Sequence, residues 1–167
     1  MDFTVIKGNI ANKSADALVN AAGTSLQMGS GVAGALRRGA NGPINQEATE
    51  KGPVDLGEVA VTDAYDLDAE YVIHAAAMPH YGDGRATAES IRKATHNALA
   101  KADELGCESV IVPVLGTGAA GFSFEEGANI VCETINEYES SQLTDVSVIA
   151  YSDEEFETLS RVAKDIR

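Results

Sequence analysis

Positive charge is scarce in this chain: 12 lysines and arginines stand against 26 aspartates and glutamates, a formal net charge of −14. Without a basic stripe a protein has little with which to neutralise a phosphate backbone, so neither nucleic acid as a partner nor a duplex-binding role is expected. Long apolar runs are missing as well. No stretch approaches the roughly 20 residues needed to cross a bilayer, and the first residues, MDFTVIKGNI, lack the basic and then apolar regions of a signal peptide. The expectation is a cytoplasmic protein with no membrane partner. Cysteine is limited to Cys107 and Cys132, with no histidines at metal-ligand spacing. That argues against a disulfide framework or a metal site and for small buried hydrophobes; no cofactor is expected. No internal repeat, low-complexity tract or linker divides the 167 residues, which suit one domain over 1–167 with a proper core.

The acidic residues cluster as surface positions do: Asp63, Asp66, Asp68 and Glu70; Asp103, Glu104 and Glu108; Asp153, Glu154, Glu155 and Glu157. Self-repulsion on this scale destabilises a compact state at low salt and is largely screened at molar salt, where the Debye length is about 3 Å. The charge therefore fits a halophilic, high-salt interior; the alternative is an acidic protein of an ordinary cytosol.

What is abundant is glycine, and its placement organises the chain. Val19 to Leu36 reads VNAAGTSLQMGSGVAGAL. An apolar approach ends at Asn20, small residues follow, and after Gly29, Ser30 and Gly31 the apolar spacing turns helical at Val32, Ala35 and Leu36. This is a strand, a loop that exposes backbone, and a helix N-terminus, an arrangement that offers unpaired N–H groups and the positive end of a helix dipole to an anion such as phosphate. A second glycine loop, Gly116, Thr117, Gly118, Ala119, Ala120 and Gly121, also joins an apolar strand to a helix. Glycines that only make tight turns would look the same singly; two such junctions fit opposite walls around a diphosphate. No lysine follows either loop as a Walker pattern requires, and glycines at 29, 31 and 34 do not meet the dinucleotide fingerprint.

Around these loops the periodicity predicts strands over Phe3 to Ile6, Ala17 to Ala21, Gly57 to Thr62, Tyr71 to Ala76, Ser109 to Leu115 and Val146 to Tyr151. Helices are predicted after Gly31, ending before a break from Gly39 to Pro43; from Pro43, in the first turn, to about Lys51; over Ala88 to Leu105, stopped by Gly106; after a capping box of Ser123 and Glu126; and from about Asp153. Apolar strands alternating with amphipathic helices imply an α/β fold with a largely parallel sheet between helical layers, whose ligands bind where loops leave the carboxyl ends of strands.

Five segments in order, GNI at Gly8 to Ile10, ALVNAAG at Ala17 to Gly23, GSGVAGAL at Gly29 to Leu36, YVIHA at Tyr71 to Ala75 and PVLGTGAAGF at Pro113 to Phe122, resemble a macrodomain over nearly the whole chain. The resemblance implies a three-layer α/β/α fold with a mixed, largely parallel central sheet that binds ADP-ribose or ADP-ribosylated protein, many members removing ADP-ribose from proteins or deacetylating O-acetyl-ADP-ribose. By position it implies that Asn9 meets the adenine amine where the family usually has an aspartate, that Ile10 adds apolar contact, and that Tyr151 packs on adenine, although an ordinary strand-end tyrosine would look the same. Gly29, Ser30, Gly31 and Val32 would cradle the diphosphate, and Gly116 to Gly121 the opposing side; Ala22, Gly23 and Phe122 complete the implied binding set. Three departures bear on activity: Gly23 replaces the last asparagine of NAAN, Ala33 a hydrolase aspartate, and Ala120 a loop aromatic, for which neighbouring Phe122 is a substitute.

Other polar residues have two readings. His80 and Asp83, in the loop after the fourth strand, are either an acid–base pair or solvated loop polarity. His74 reads as a satisfied buried histidine, His96 as surface, Asn20 as an organiser of its loop through backbone hydrogen bonds, and Ser30 and Ser123 as a phosphate donor and a helix cap. Three functions follow: a binder of ADP-ribose or its adducts; an ADP-ribosyl hydrolase or O-acetyl-ADP-ribose deacetylase in which the substrate's own phosphate activates water; or a binder of other phosphate ligands, such as nucleotides or an RNA end.

Overall fold

The computed structural model describes residues 1–80 and 84–167, residue 119 by its backbone alone. Among the described residues the strands are β1 (Thr4–Lys7), β2 (Ala17–Gly23), β3 (Val59–Asp63), β4 (Tyr71–Met78), β5 (Ser109–Pro113) and β6 (Asp145–Ala150). The helices are α1 (Gly31–Ala40), α2 (Ile44–Lys51), α3 (Ala88–Glu104), α4 (Phe124–Glu137) and α5 (Asp153–Ile166), with 3₁₀ turns at Ile10–Asn12 and Gly118–Ala120. None of these helices is long and apolar enough to cross a membrane.

One sheet runs in the order β1-β6-β5-β2-β4-β3. All neighbours are parallel except β3 and β4. The exception follows from chain length. The connection 64–70 is too short for a crossover and returns the chain antiparallel, whereas α3 and α4 carry the crossovers from β4 to β5 and from β5 to β6, strands that run parallel.

The continuous apolar runs of the central strands resolve into two faces by their period of two. Leu18, Val72, Ile111 and Ile149 face a cluster with Leu36 of α1 and Ile44 of α2. Val19, Ile73, Val112 and Val148 face the larger cluster, with Ile91 and Leu99 of α3, Val131 of α4 and Leu159 of α5. The result is the three-layer α/β/α arrangement with a mixed, largely parallel sheet. Leu18 and Ile73 are completely buried, and truncating such a side chain to alanine typically costs about 2–5 kcal/mol.

Several boundaries differ from the periodicity. Gly39 lies inside α1 rather than breaking it, because a Cβ there would come within 2.8 Å of Leu67 and 3.0 Å of Ala11, so glycine serves close packing. The helix ends instead at Asn41, in the left-handed region at φ 48°. Pro43 occupies the N-cap of α2, one residue before its first turn. β2 and β4 run two residues further than expected, with a register shift at Ala22/Gly23, while β5 stops at Pro113 and leaves Val114 and Leu115 to the loop. The Ser123–Glu126 box is half formed. Ser123 Oγ accepts the Glu126 N–H and donates to the Glu126 carboxylate. The full reciprocal box is at α3, between Thr87 and Ser90. Asp103 is more than surface charge: it accepts hydrogen bonds from the Tyr138 hydroxyl and from the N–H groups of Ser141, Gln142 and Leu143. Partial burial works against its charge, yet these donors hold its carboxyl below the usual range.

The topology places a cleft. After β2 the chain passes through α1, α2 and β3 to β4 on one side, and after β5 it passes through α4 to β6 on the other. β2 and β5 are therefore the point where the winding reverses, the usual location of a ligand crevice in open α/β sheets. Their ladder consists of Ala17 opposite Val110 and Leu18 opposite Ile111 and then ends, leaving the strands' carboxyl halves unpaired with each other.

Candidate functional site

Two adjoining cavities lie at that reversal and share Gly31 and Val32 at the start of α1. The smaller, about 360 Å³, is bounded by Gly8, Asn9 and Ile10 after β1, by Ala35 and Arg38 of α1, and by Pro113, Ile149 and Tyr151. The larger, about 540 Å³, runs between the loop after β2 (Gly23, Ser25, Gln27, Gly29, Ser30) and the loop after β5 (Val114, Gly116, Thr117, Gly118, Ala120); Ala21, Ala22, Ala33, Ala77, Met78 and His80 complete it.

The helix end that faces both cavities is uncapped. Ser30 takes the N-cap position with no side-chain hydrogen bond, so the first-turn N–H groups of α1 keep their capacity for an outside acceptor. Gly31 makes the approach possible: its φ is +62°, and a Cβ would meet nothing within 4 Å, so glycine leaves open space at the cavity junction. Gly118 on the opposite wall has φ +69° and the same open surround. The two loops thus present backbone, not side chains, to the volume between them.

Among the described residues no aspartate or glutamate lines either cavity, and Arg38 is the arginine on the wall of the smaller one. Sequence reasoning missed Arg38. The available signal was helical spacing, since Gly31, Ala35 and Arg38 recur at i, i+4 and i+7 and share one face. Its neighbour Arg37 donates to the Met28 carbonyl at 3.1 Å, tying the loop after β2 to the helix.

Most sequence-predicted site residues meet here. Asn9, Ile10 and Tyr151 share the smaller cavity; Ala22, Gly23, Gly29, Ser30, Gly116, Thr117, Gly118 and Ala120 line the larger. Gly121 and Phe122 line neither: Gly121 packs under Arg85, and Phe122 lies half-buried against the larger core. Ala119 falls in the Gly118–Ala120 turn. Tyr151 sits one residue beyond β6 rather than within it and is 75% exposed. Asn9 Oδ1 accepts the Ala11 N–H at 2.9 Å, capping the 3₁₀ turn and leaving one lone pair and the amide NH₂ for a ligand.

Behind the cleft, Asn20 does not bond the loop backbone as expected. Its Nδ2 donates to His74 Nδ1 at 3.0 Å, and His74 Nε2 in turn lies 2.9 Å from Thr62 Oγ1. All three are buried, and burial pushes the His74 pKa down to about 4, so the imidazole is neutral. His80 is anchored in the cleft instead, with Nδ1 2.9 Å from Ser25 Oγ and its N–H donating to Thr24 Oγ1 at 3.1 Å. Its proposed partner Asp83 lies outside the described residues. Cys107 and Cys132 are free and buried, with burial pushing the two thiols up to about 11 and about 12, and no acid–histidine–cysteine cluster of metal-site form occurs among the described residues. A further groove of about 580 Å³, between α3 and α4, has walls of both charges, including Glu89, Arg92, Lys93 and Glu137, and stands apart from the strand ends.

The Macro domain family model matches residues 19–131. An uncharacterized protein of Saccharolobus solfataricus is 39% identical over 99% of this chain and 94% of its own length. The chain spans only 42% of the length of the mycobacterial relatives it matches. Among solved structures, the Oceanobacillus iheyensis macrodomain with ADP superposes with a TM-score of 0.87 at 24% identity, covering 97% of this chain and 90% of that one. The Trypanosoma brucei macrodomain in complex with ADP-ribose gives 0.82 at 25% identity, over 94% and 67%. The chain belongs to the macro domain family.

Proposed function

We propose that the chain, as one macro domain over 1–167, binds ADP-ribose or ADP-ribosyl adducts of proteins. The base occupies the smaller cavity against Asn9, Ile10 and Tyr151; the diphosphate lies between Gly29–Val32 and the loop from Gly116; the distal ribose reaches toward Gly23. The observation that carries this reading is the uncapped N-terminus of α1 facing an opposing glycine loop across a cleft whose described lining holds no carboxylate, in a strongly acidic protein. Backbone N–H groups act at contact distance, where a distant and salt-screened negative field is weak. The ADP-ribose complex of the Trypanosoma brucei relative supports the ligand.

Calorimetric titration with ADP-ribose, ADP and AMP in molar potassium chloride tests the reading. It requires ADP-ribose to bind at least about tenfold more tightly than AMP, a difference of about 1.4 kcal/mol. Equal binding of AMP would remove the distal-ribose assignment and favour a general phosphate binder. Hydrolysis of an ADP-ribosyl bond or of O-acetyl-ADP-ribose is a second reading, and one observation favours it: the serine–histidine pair in the wall of the larger cavity.

A further inference from the structure

We propose that Ser25 and His80 form a nucleophile–base pair that cleaves an acyl ester carried on the ribose distal to the base, a proposal that rests on the ADP-ribose reading of the cleft. Both side chains line the larger cavity and neither lines the smaller, so they belong to the end of the cleft away from the base. Their polar atoms are 2.9 Å apart, within the range of a nucleophile and its base.

Ser25 Oγ accepts the Gln27 N–H at 3.3 Å and keeps its hydroxyl proton, which it donates to His80 Nδ1 in the tautomer that carries the imidazole proton on Nε2. The imidazole is then the acceptor, as a base activating a serine must be. Both residues are held in place. The His80 N–H donates to Thr24 Oγ1, and the Thr24 N–H donates to the Met78 carbonyl, stitching the loop after β2 to the segment after β4. Leu26, next to Ser25, has φ +64° and is fully buried. A bulky residue in that conformation is strained and persists only where its surroundings enforce it.

The same segment explains why residue 23 is glycine. A Cβ on Gly23 would lie 3.2 Å from the Pro79 carbonyl oxygen and 3.6 Å from the His80 Cα. A side chain at 23 would therefore crowd the backbone that delivers His80. Glycine at 23 thus suits the close passage of the chain at Pro79 and His80.

The chemistry balances without any further reactant except water. Ser25 Oγ attacks the acyl carbonyl carbon as its proton passes to His80 Nδ1. The tetrahedral adduct collapses, the bond from acyl carbon to ribose oxygen breaks, and that oxygen takes the proton from the imidazolium. Water then attacks the acyl-serine, giving a proton to His80 Nδ1; the bond to Oγ breaks, Oγ recovers the proton, and the carboxylic acid leaves. The first-turn N–H groups of α1 keep the diphosphate, so the pair acts only on the far end of the ligand.

The test uses the full chain with O-acetyl-ADP-ribose in molar potassium chloride, measuring acetate release and, after acid quench, the acetyl group on the Ser25 peptide by mass spectrometry. Multiple turnovers are expected, with acetyl on Ser25 and with kcat falling at least about 10²-fold in both Ser25→Ala and His80→Gln while KM changes far less. Thermal melts of the variants establish that they fold. Unchanged turnover in Ser25→Ala, or binding of ADP-ribose by the wild type with no ester cleavage, overturns the proposal. Failure of the wild type to bind ADP-ribose overturns the underlying ligand reading instead.

Discussion

Asn20 Nδ2 lies 3.0 Å from His74 Nδ1, and neither residue is more than 1% exposed. The amide can only donate there, so Nδ1 is the acceptor, Nε2 carries the proton toward Thr62 Oγ1, and the Thr62 hydroxyl donates to the Asp63 carbonyl. A buried, neutral imidazole thus links β2, β4 and β3 across their shared edge.

That link makes stability depend on pH. The His74 pKa is about 4 in the fold, with burial the main cause, against about 6.5 in the unfolded chain. Between these values the unfolded state binds the proton and the native state does not, so unfolding free energy falls as pH falls. The contribution is complete above about pH 6.5 and is lost progressively toward pH 4, amounting to roughly 3 kcal/mol. Urea melts of wild type and His74→Gln across this window check it. The difference between the two should narrow with acidification; a constant difference would show that His74 does not titrate between states.

Gly31 separates binding from stability. Gly31→Val forces a β-branched residue into φ +62° and places its side chain in the space shared by the two cavities. The expected cost is about 1–2 kcal/mol of stability and at least about tenfold in ADP-ribose affinity, one decade being about 1.4 kcal/mol. Gly106→Val is the control, with φ +78° and an equally open surround at the end of α3. It should lose similar stability and keep its affinity, as read by melts and calorimetry.

Gly23→Asn reports on the loop that carries His80. The new Cβ, 3.2 Å from the Pro79 carbonyl, requires the backbone to give by a few tenths of an ångström. Restoring this side chain is therefore expected to destabilise by about 1 kcal/mol, the middle of the range for single substitutions, and to disturb the Ser25–His80 contact. Reduced ester turnover in Gly23→Asn is the expected result; enhanced turnover would mean that the asparagine alone was missing.

The sheet and its two glycine loops were legible because their signals are local. Apolar runs of β4 and β5, the 3.6 period of α3, and glycine clusters at strand ends each lie within a short window. Strand order was not, since nothing local says that β5 lies beside β2 or that β3 runs antiparallel. At the site, Gly31 was readable from its place before a helical pattern. Arg38 was obscured by distance along that helix, and the Ser25–His80 pair by 55 residues of separation. In sequence His80 pairs most simply with Asp83, three positions away, whereas its described partner, Ser25, comes from another loop. Asn20 and His74 are each legible singly in the sequence; only the β2–β4 register, which sets Asn20 opposite His74, joins them.

Salt dependence follows from the surface. Ion pairs among the described residues, such as Lys93–Glu58 and Lys7–Asp153, are exposed, and pairs of that kind contribute little. Repulsion among the remaining carboxylates therefore dominates at low ionic strength. α5 begins with Asp153, Glu154 and Glu155 at its positive end, which offsets only part of it. The melting temperature should climb with potassium chloride toward the molar range; a flat or falling series would contradict a high-salt design.

The most direct measurement is a crystal structure of the chain with ADP-ribose. The diphosphate should lie between Gly31 and Gly118, with the base against Asn9 and Tyr151 and the distal ribose beside Ser25 and His80. Density for the ligand in the groove between α3 and α4, or a diphosphate out of reach of the α1 N-terminus, would contradict the account.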